Sequence, residues 1–242
     1  MRRDKGGHLQ MVTKPTTIAF DADDTLWQNE QFFRLTQQRF ASLLADYVEQ
    51  DHLNTRLLEA EQRNLGRYGF GIKGFVLSMI ETAIDVSDAR VPASVIRELI
   101  DAGQDMLRHP IHLLPHVEQV IASLAADFQL LLITKGDLLD QERKLAQSGL
   151  GDYFDGVEIV SSKTPAIYSE IFRRHGSGPK QAMMVGNSLR SDVIPAIEAG
   201  SWGVFVPHEL TWELERAKAP KTHPKYRKLP HLGDLQDLLD QL

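Results

Sequence analysis

The chain has 242 residues, 42% hydrophobic and 25% charged, and its 27 Lys and Arg against 33 Asp and Glu leave a formal net charge of −6. That length can bury a full core, as one domain or as a core with an insertion. No apolar stretch approaches the roughly 20 residues of a membrane helix, and the acidic balance gives no general attraction to nucleic acid, so neither membrane nor nucleic acid is expected as a partner. The absence of cysteine excludes disulfides, thiol catalysis and cysteine-ligated metal, and it is compatible with a reducing cytoplasm, the expected location.

Residues 1 to 10 are polar and lack the apolar middle of a signal peptide, so 1–14 reads as a disordered leader with Met11 as a candidate start. The run from Thr16 to Phe20 then has strand composition, and Asp21, Asp23 and Asp24 follow it immediately. Three acids at the carboxyl end of a strand sit where open α/β sheets bind ligands. Their mutual repulsion is most simply offset by a hard divalent cation held by oxygen ligands, which points to magnesium.

Between residues 27 and 112 the pattern is helical, with apolar faces such as Phe32, Phe33, Phe40, Leu43 and Leu44, or Val95, Ile96, Leu99 and Ile100, and without a convincing strand. This segment reads as a helical cap domain inserted over the first strand's tip. Gly69, Gly71 and Gly74 spell GxGxxG, but they follow a helical stretch rather than a strand and read as a bend in the cap, not a dinucleotide loop. Arg67, Tyr68 and Lys73 beside that bend are candidate specificity contacts. His109, His112 and His116 are separated by Pro110 and Pro115 and read as loop residues rather than zinc ligands.

From Val117 an amphipathic helix leads to the continuous apolar run Phe128–Ile133, a strand covered on both faces and tipped by Thr134 and Lys135. A helix to about Leu145 precedes a strand at 157–160 that ends near Lys163. The next helix has Thr164 as N-cap, Pro165 at its first position and Gly176 beyond its end. Strands at 182–185 and 203–206 follow, the former tipped by Asn187 and Asp192 with a helix running on to Gly200. Lys218, Lys221, Lys225, Arg227 and Lys228 read as a solvated loop, and Leu235, Leu238, Leu239 and Leu242 as a last amphipathic helix. Alternation at these lengths predicts an α/β fold, a doubly wound, mainly parallel sheet with a Rossmann-like core over 15–26 and 113–242.

The order Asp21 with Asp23, Thr134, Lys163, then Asn187 with Asp192, each at a strand end, resembles the haloacid dehalogenase superfamily, in its phosphatase type with an inserted helical cap. The resemblance implies a magnesium-dependent phosphohydrolase releasing phosphate from a small phosphorylated metabolite. Asp21 would be the nucleophile that forms an aspartyl-phosphate, and Asp23 the acid and base. Thr134, Lys135 and Lys163 would bind phosphate, and Asp21, Asp23, Asn187 and Asp192 would serve as metal ligands. Asn187 stands where the family carries Asp; an amide oxygen still ligates magnesium but brings no charge. His116 falls where family members often carry Gly. Competing readings are a metal-free dehalogenase, disfavoured by Asp23, a phosphomutase, a phosphoacceptor module, and a weakened phospho-ligand-binding relative. The oligomeric state is not legible.

Overall fold

The structure, a computed structural model, describes residues 14–242; apart from Lys14, the leader lies outside the described residues. In chain order the elements are β1 (Thr17–Phe20), the helices α1 (Glu30–Leu43), α2 (Gln50–Tyr68), α3 (Ile72–Val86) and α4 (Ala93–Arg108), then α5 (Val117–Leu124), β2 (Gln129–Lys135), α6 (Leu138–Ser148) and β3 (Gly156–Val160). They continue with α7 (Pro165–His175), β4 (Ala182–Gly186), α8 (Ile194–Glu198), β5 (Trp202–Phe205), β6 (Tyr226–Lys228) and α9 (Leu235–Asp240).

The six strands form one parallel sheet in the order β3-β2-β1-β4-β5-β6. Side chains alternate across it. Ile18, Phe20, Leu130, Leu132, Met183 and Val185 enter a core completed by Val117, Ile121 and Leu124 of α5 and Leu235 of α9. Ala19, Leu131, Ile133 and Met184 face the other way, against Tyr168, Ile171 and Phe172 of α7. Burial on both faces is why these strands read as apolar runs rather than alternating ones. The chain winds outward from β1 to β3 and then returns to place β4 beside β1, and that reversal opens a crevice at the strands' carboxyl ends.

Helices α1 to α4 have their own apolar cluster, built on Phe40, Leu44, Leu53, Leu57, Phe75, Met79 and Leu99, separate from the sheet's two. They enter and leave the core through paired linkers. Trp27 bridges Leu113 antiparallel, Gln28 N–H donates to His112 at 3.0 Å, and Leu114 N–H donates to Leu26 at 2.9 Å. The Gly-rich segment is the bend between α2 and α3. Gly71 has φ 111°, and a Cβ there would stand 3.3 Å from the Asp137 nitrogen of the core, so glycine lets the cap approach the strand tips. His116 has φ 70°, the left-handed conformation that glycine usually supplies before a helix.

Two expectations need correction. The basic stretch is not all loop, since Tyr226–Lys228 adds a parallel edge strand to β5. Arg227 lies 4.7 Å over the Trp202 ring, and the Lys225 ammonium donates to Gly200 at 2.7 Å. A three-residue edge strand needs no apolar run and favours charged side chains, so it leaves little periodicity to read. The helix after Asn187 is not continuous either. Leu189–Val193 forms a π-helical turn capped by Ser188, whose hydroxyl accepts from Ser191 N–H at 2.9 Å, before α8 begins.

Candidate active site

Asp21 leaves β1 at the switch point, where its N–H donates to Val185 of β4 at 2.9 Å. Asp21, Asp23, Thr134, Lys163, Asn187 and Asp192 all line one cavity of about 160 Å³ between the strand tips and the cap. Lys163, brought in by the segment after β3, is buried with its ammonium bridging Asp21 Oδ1 and Asp192 Oδ1, the latter at 2.7 Å. The other Asp192 oxygen accepts the Ser188 N–H at 2.9 Å. The Thr25 hydroxyl lies 3.3 Å from both Asp21 Oδ2 and Asn187 Oδ1, and accepts the Asn187 N–H at 3.0 Å. Thr25 thus stitches the tips of β1 and β4 together. Sequence reasoning gave it no place in the site.

Burial and the nearby Asp192 carboxylate push Asp21 up to about 7, against the opposing pull of Lys163. Burial works against charge on Lys163 too, yet the Asp192 and Asp21 carboxylates outweigh it and hold the ammonium above its usual range. Two buried acids therefore share one permanent cation.

Asp23 is held differently. Its Oδ1 accepts from the Trp27 indole at 2.7 Å and from Lys144 at 2.9 Å, and its Oδ2 from Gln141 at 2.8 Å. Lys144 and Gln141 lie on α6 and were not singled out in the sequence. The signal available was a lysine among that helix's inward positions, Asp140, Gln141 and Lys144. Asp24, the third acid of the cluster, is structural. It accepts the Asn29 N–H at 2.9 Å and the Glu30 N–H at 3.0 Å, capping α1, and burial pushes it up to about 6 although His208 opposes the shift.

Thr134 is buried and lines the cavity, as does Lys135. Lys135 is already engaged, donating to Ser191 at 2.7 Å and to Glu215 at 2.5 Å, with its ammonium 4.0 Å over the Phe70 ring. Arg67, Tyr68 and Lys73 do not line the cavity. Tyr68 donates to Glu81 on the cap at 3.0 Å, Lys73 pairs with Asp137 across the domains at 2.9 Å, and Arg67 is exposed. A helix presents only one face inward, and Glu61, Asn64 and Leu65 occupy that face of α2. Trp212 and Glu215, from the loop after β5, complete the wall; loop residues carry no periodicity by which to find them.

Among the described residues, no group of three or more His, Cys, Asp or Glu is placed to hold a metal. The tip offers instead two carboxylates, Asp21 and Asp192, with the Asn187 amide oxygen linked to Asp21 through Thr25. This donor set is all hard oxygen, and its buried like charges favour an added cation, so it fits magnesium in kind.

The chain is similar in sequence and fold to several known proteins. A chain from Xanthomonas campestris described as a haloacid dehalogenase-like family hydrolase superposes with a TM-score of 0.82 at 37% identity, covering 94% of this chain and 92% of that one. The L-2-haloacid dehalogenase of Xanthobacter autotrophicus shares the fold at 19% identity, with a TM-score of 0.65 and coverage of 94% and 99%. A curated relative from Methanothermobacter thermautotrophicus, named glyceraldehyde 3-phosphate phosphatase, is 26% identical over 92% of this chain and 98% of its own length. The family model for haloacid dehalogenase-like hydrolases matches residues 15–200, and the chain belongs to that family.

Proposed function

We propose that the protein is a phosphatase of this family, acting on a small phosphorylated metabolite through Asp21. The observation that carries this reading is the pairing, in one cavity, of a carboxylate held by Lys163 with a second carboxylate, Asp23, two residues on. Phosphate esters need both. Asp21 forms a bond to phosphorus as the bond to the leaving oxygen breaks, and Asp23 gives that oxygen a proton. Asp23 then takes a proton from water as the water oxygen attacks phosphorus and frees Asp21. Lys163 and Thr134 offer charge and a hydroxyl to the phosphoryl oxygens. Lys135 adds a second cation at the rim.

Magnesium is suggested by family membership, and Asp21, Asp192, Asn187 and the Asp23 carbonyl are the oxygens that would hold it. When bound it supplies positive charge against which phosphate and Asp21 can both be anionic. A dehalogenase has less use for Asp23, because a halide leaves without a proton. The curated relatives named as phosphatases support the same choice.

The test is hydrolysis of an aryl phosphate by the purified protein with magnesium and with chelator, beside Asp21→Asn. Turnover that needs magnesium and is lost in Asp21→Asn supports the proposal. Halide release from a 2-haloacid without metal, and no phosphate release, would overturn it.

A further inference from the structure

The cap's share of the cavity wall has a distinct hydrogen-bonding sense. Among the described residues, its lining includes Glu30, Glu61 and Asn64 beside Phe33, Phe70 and Phe75, and no Lys, Arg or His. Glu30 is paired with Arg34 at 3.0 Å, but Glu61 has no ion-pair partner among the described residues and is met by the Trp212 indole. The core's three lining lysines are all matched: Lys135 to Glu215, Lys144 to Asp23, and Lys163 to Asp21 and Asp192. No cation in the lining is left over for a second anion on the ligand.

Two buried acceptors are left unused as well. Asn64 donates through its amide nitrogen to Ser78 at 3.1 Å and to Glu81 at 2.8 Å, which fixes the amide's sense, and its Oδ1 has no partner. Gln141 donates to Asp23, and its Oε1 is likewise without a partner. Both residues line the cavity and are almost fully buried, Asn64 at 2% and Gln141 at 3% exposure. Buried polar atoms are rarely left unmatched, and one remaining source of partners is the ligand. The fully buried unmatched atoms of the lining are both acceptors, so a ligand that reaches them should supply donors.

We propose, resting on the phosphatase reading above, that the substrate is a phosphomonoester whose alcohol carries hydroxyl or ammonium donors and no carboxylate or second phosphate. Above about pH 7, where Glu61 is ionised, an anion placed beside it would lose its water and meet like charge without a compensating cation. The aromatic side chains cover the carbon skeleton while the acceptors take the donors. A 2-haloacid, which always brings a carboxylate, is disfavoured by the same wall.

The experiment compares kcat/KM at pH 8 for matched pairs: glycerol 3-phosphate against 3-phosphoglycerate, and phosphoethanolamine against phosphoglycolate, with an aryl phosphate as the control. The uncharged or cationic member of each pair should lead by about tenfold or more, and Glu61→Gln should narrow the gap by raising turnover of the carboxylated member. Aryl phosphate turnover together with carboxylated members equal to or better than their partners overturns the inference and leaves the phosphatase reading standing. Absence of aryl phosphate turnover strikes the phosphatase reading instead. Calorimetric binding of the same pairs to Asp21→Asn then decides the inference, which fails if the carboxylated members bind as well or better.

Discussion

The Lys144 ammonium stands 2.9 Å from Asp23 Oδ1 and 2.8 Å from Asn29 Oδ1. A helix of the core thus ties the second acid of the strand tip to the residue that precedes the first cap helix. Burial works against charge on Lys144, but Asp23 and Asp140 hold it above the usual range, so Lys144 stays a charged donor.

If Lys144 positions Asp23, Lys144→Met should resemble Asp23→Asn in its dependence on the leaving group. Nitrophenolate leaves with little protonation, whereas an alkoxide needs it. The variant should lose about tenfold or less on nitrophenyl phosphate and about a hundredfold on an alkyl phosphate. Equal losses on both, measured as kcat, would reduce Lys144 to a structural role.

Lys163→Met removes the cation that Asp21 and Asp192 share. Two buried carboxylates would then repel one another, at a cost of about 3–5 kcal/mol near pH 8. Protonation of one acid relieves this, so the loss should shrink toward pH 5. Urea unfolding at the two pH values checks it, and phosphate release should fall by at least about a hundredfold.

Gly186 ends β4 directly against Asp192, where an added Cβ would meet Asp192 Oδ2 at 2.3 Å and its Cβ at 2.7 Å. Gly186→Ala must therefore displace the carboxylate that Lys163 holds. We expect about 1–3 kcal/mol of destabilisation and a drop of about a hundredfold in kcat with the sheet intact by circular dichroism. Unchanged kcat would mean that Asp192 can move without consequence.

Burial pushes Glu61 from 4.5 up to about 7, with the Trp212 indole opposing and Glu30 adding to the shift. Between those values the folded chain holds a proton that the unfolded chain has released, so stability falls as pH rises through this window. The penalty is complete above pH 7 and absent below 4.5. Glu61→Gln cannot ionise and should be the more stable protein at pH 8, by on the order of 1–3 kcal/mol, with the advantage fading toward pH 4.5. Thermal midpoints at pH 5 and pH 8 test the sign.

The parallel sheet was legible in the sequence because strands buried on both faces leave unbroken apolar runs, and because Thr164 and Pro165 mark a helix start locally. The strand-tip residues Asp21, Thr134, Lys163, Asn187 and Asp192 could be picked out for the same reason, since each follows a recognisable strand. Local pattern carried no such mark for the short charged strand Tyr226–Lys228 or for the π turn before α8.

Only the tertiary structure showed that Asp24 caps a helix while its neighbour Asp23 is gripped by Trp27, Gln141 and Lys144. Only packing decided that Glu61 and Asn64, rather than Arg67, Tyr68 or Lys73, face the cavity. In both cases the deciding contacts join residues distant in sequence, and whether a side chain meets them depends on the rotation of its helix and the docking of the cap on the core. Pattern along the chain reports which groups will be at the strand tips; the charge and hydrogen-bonding sense of the space around them arises when separate elements close over it.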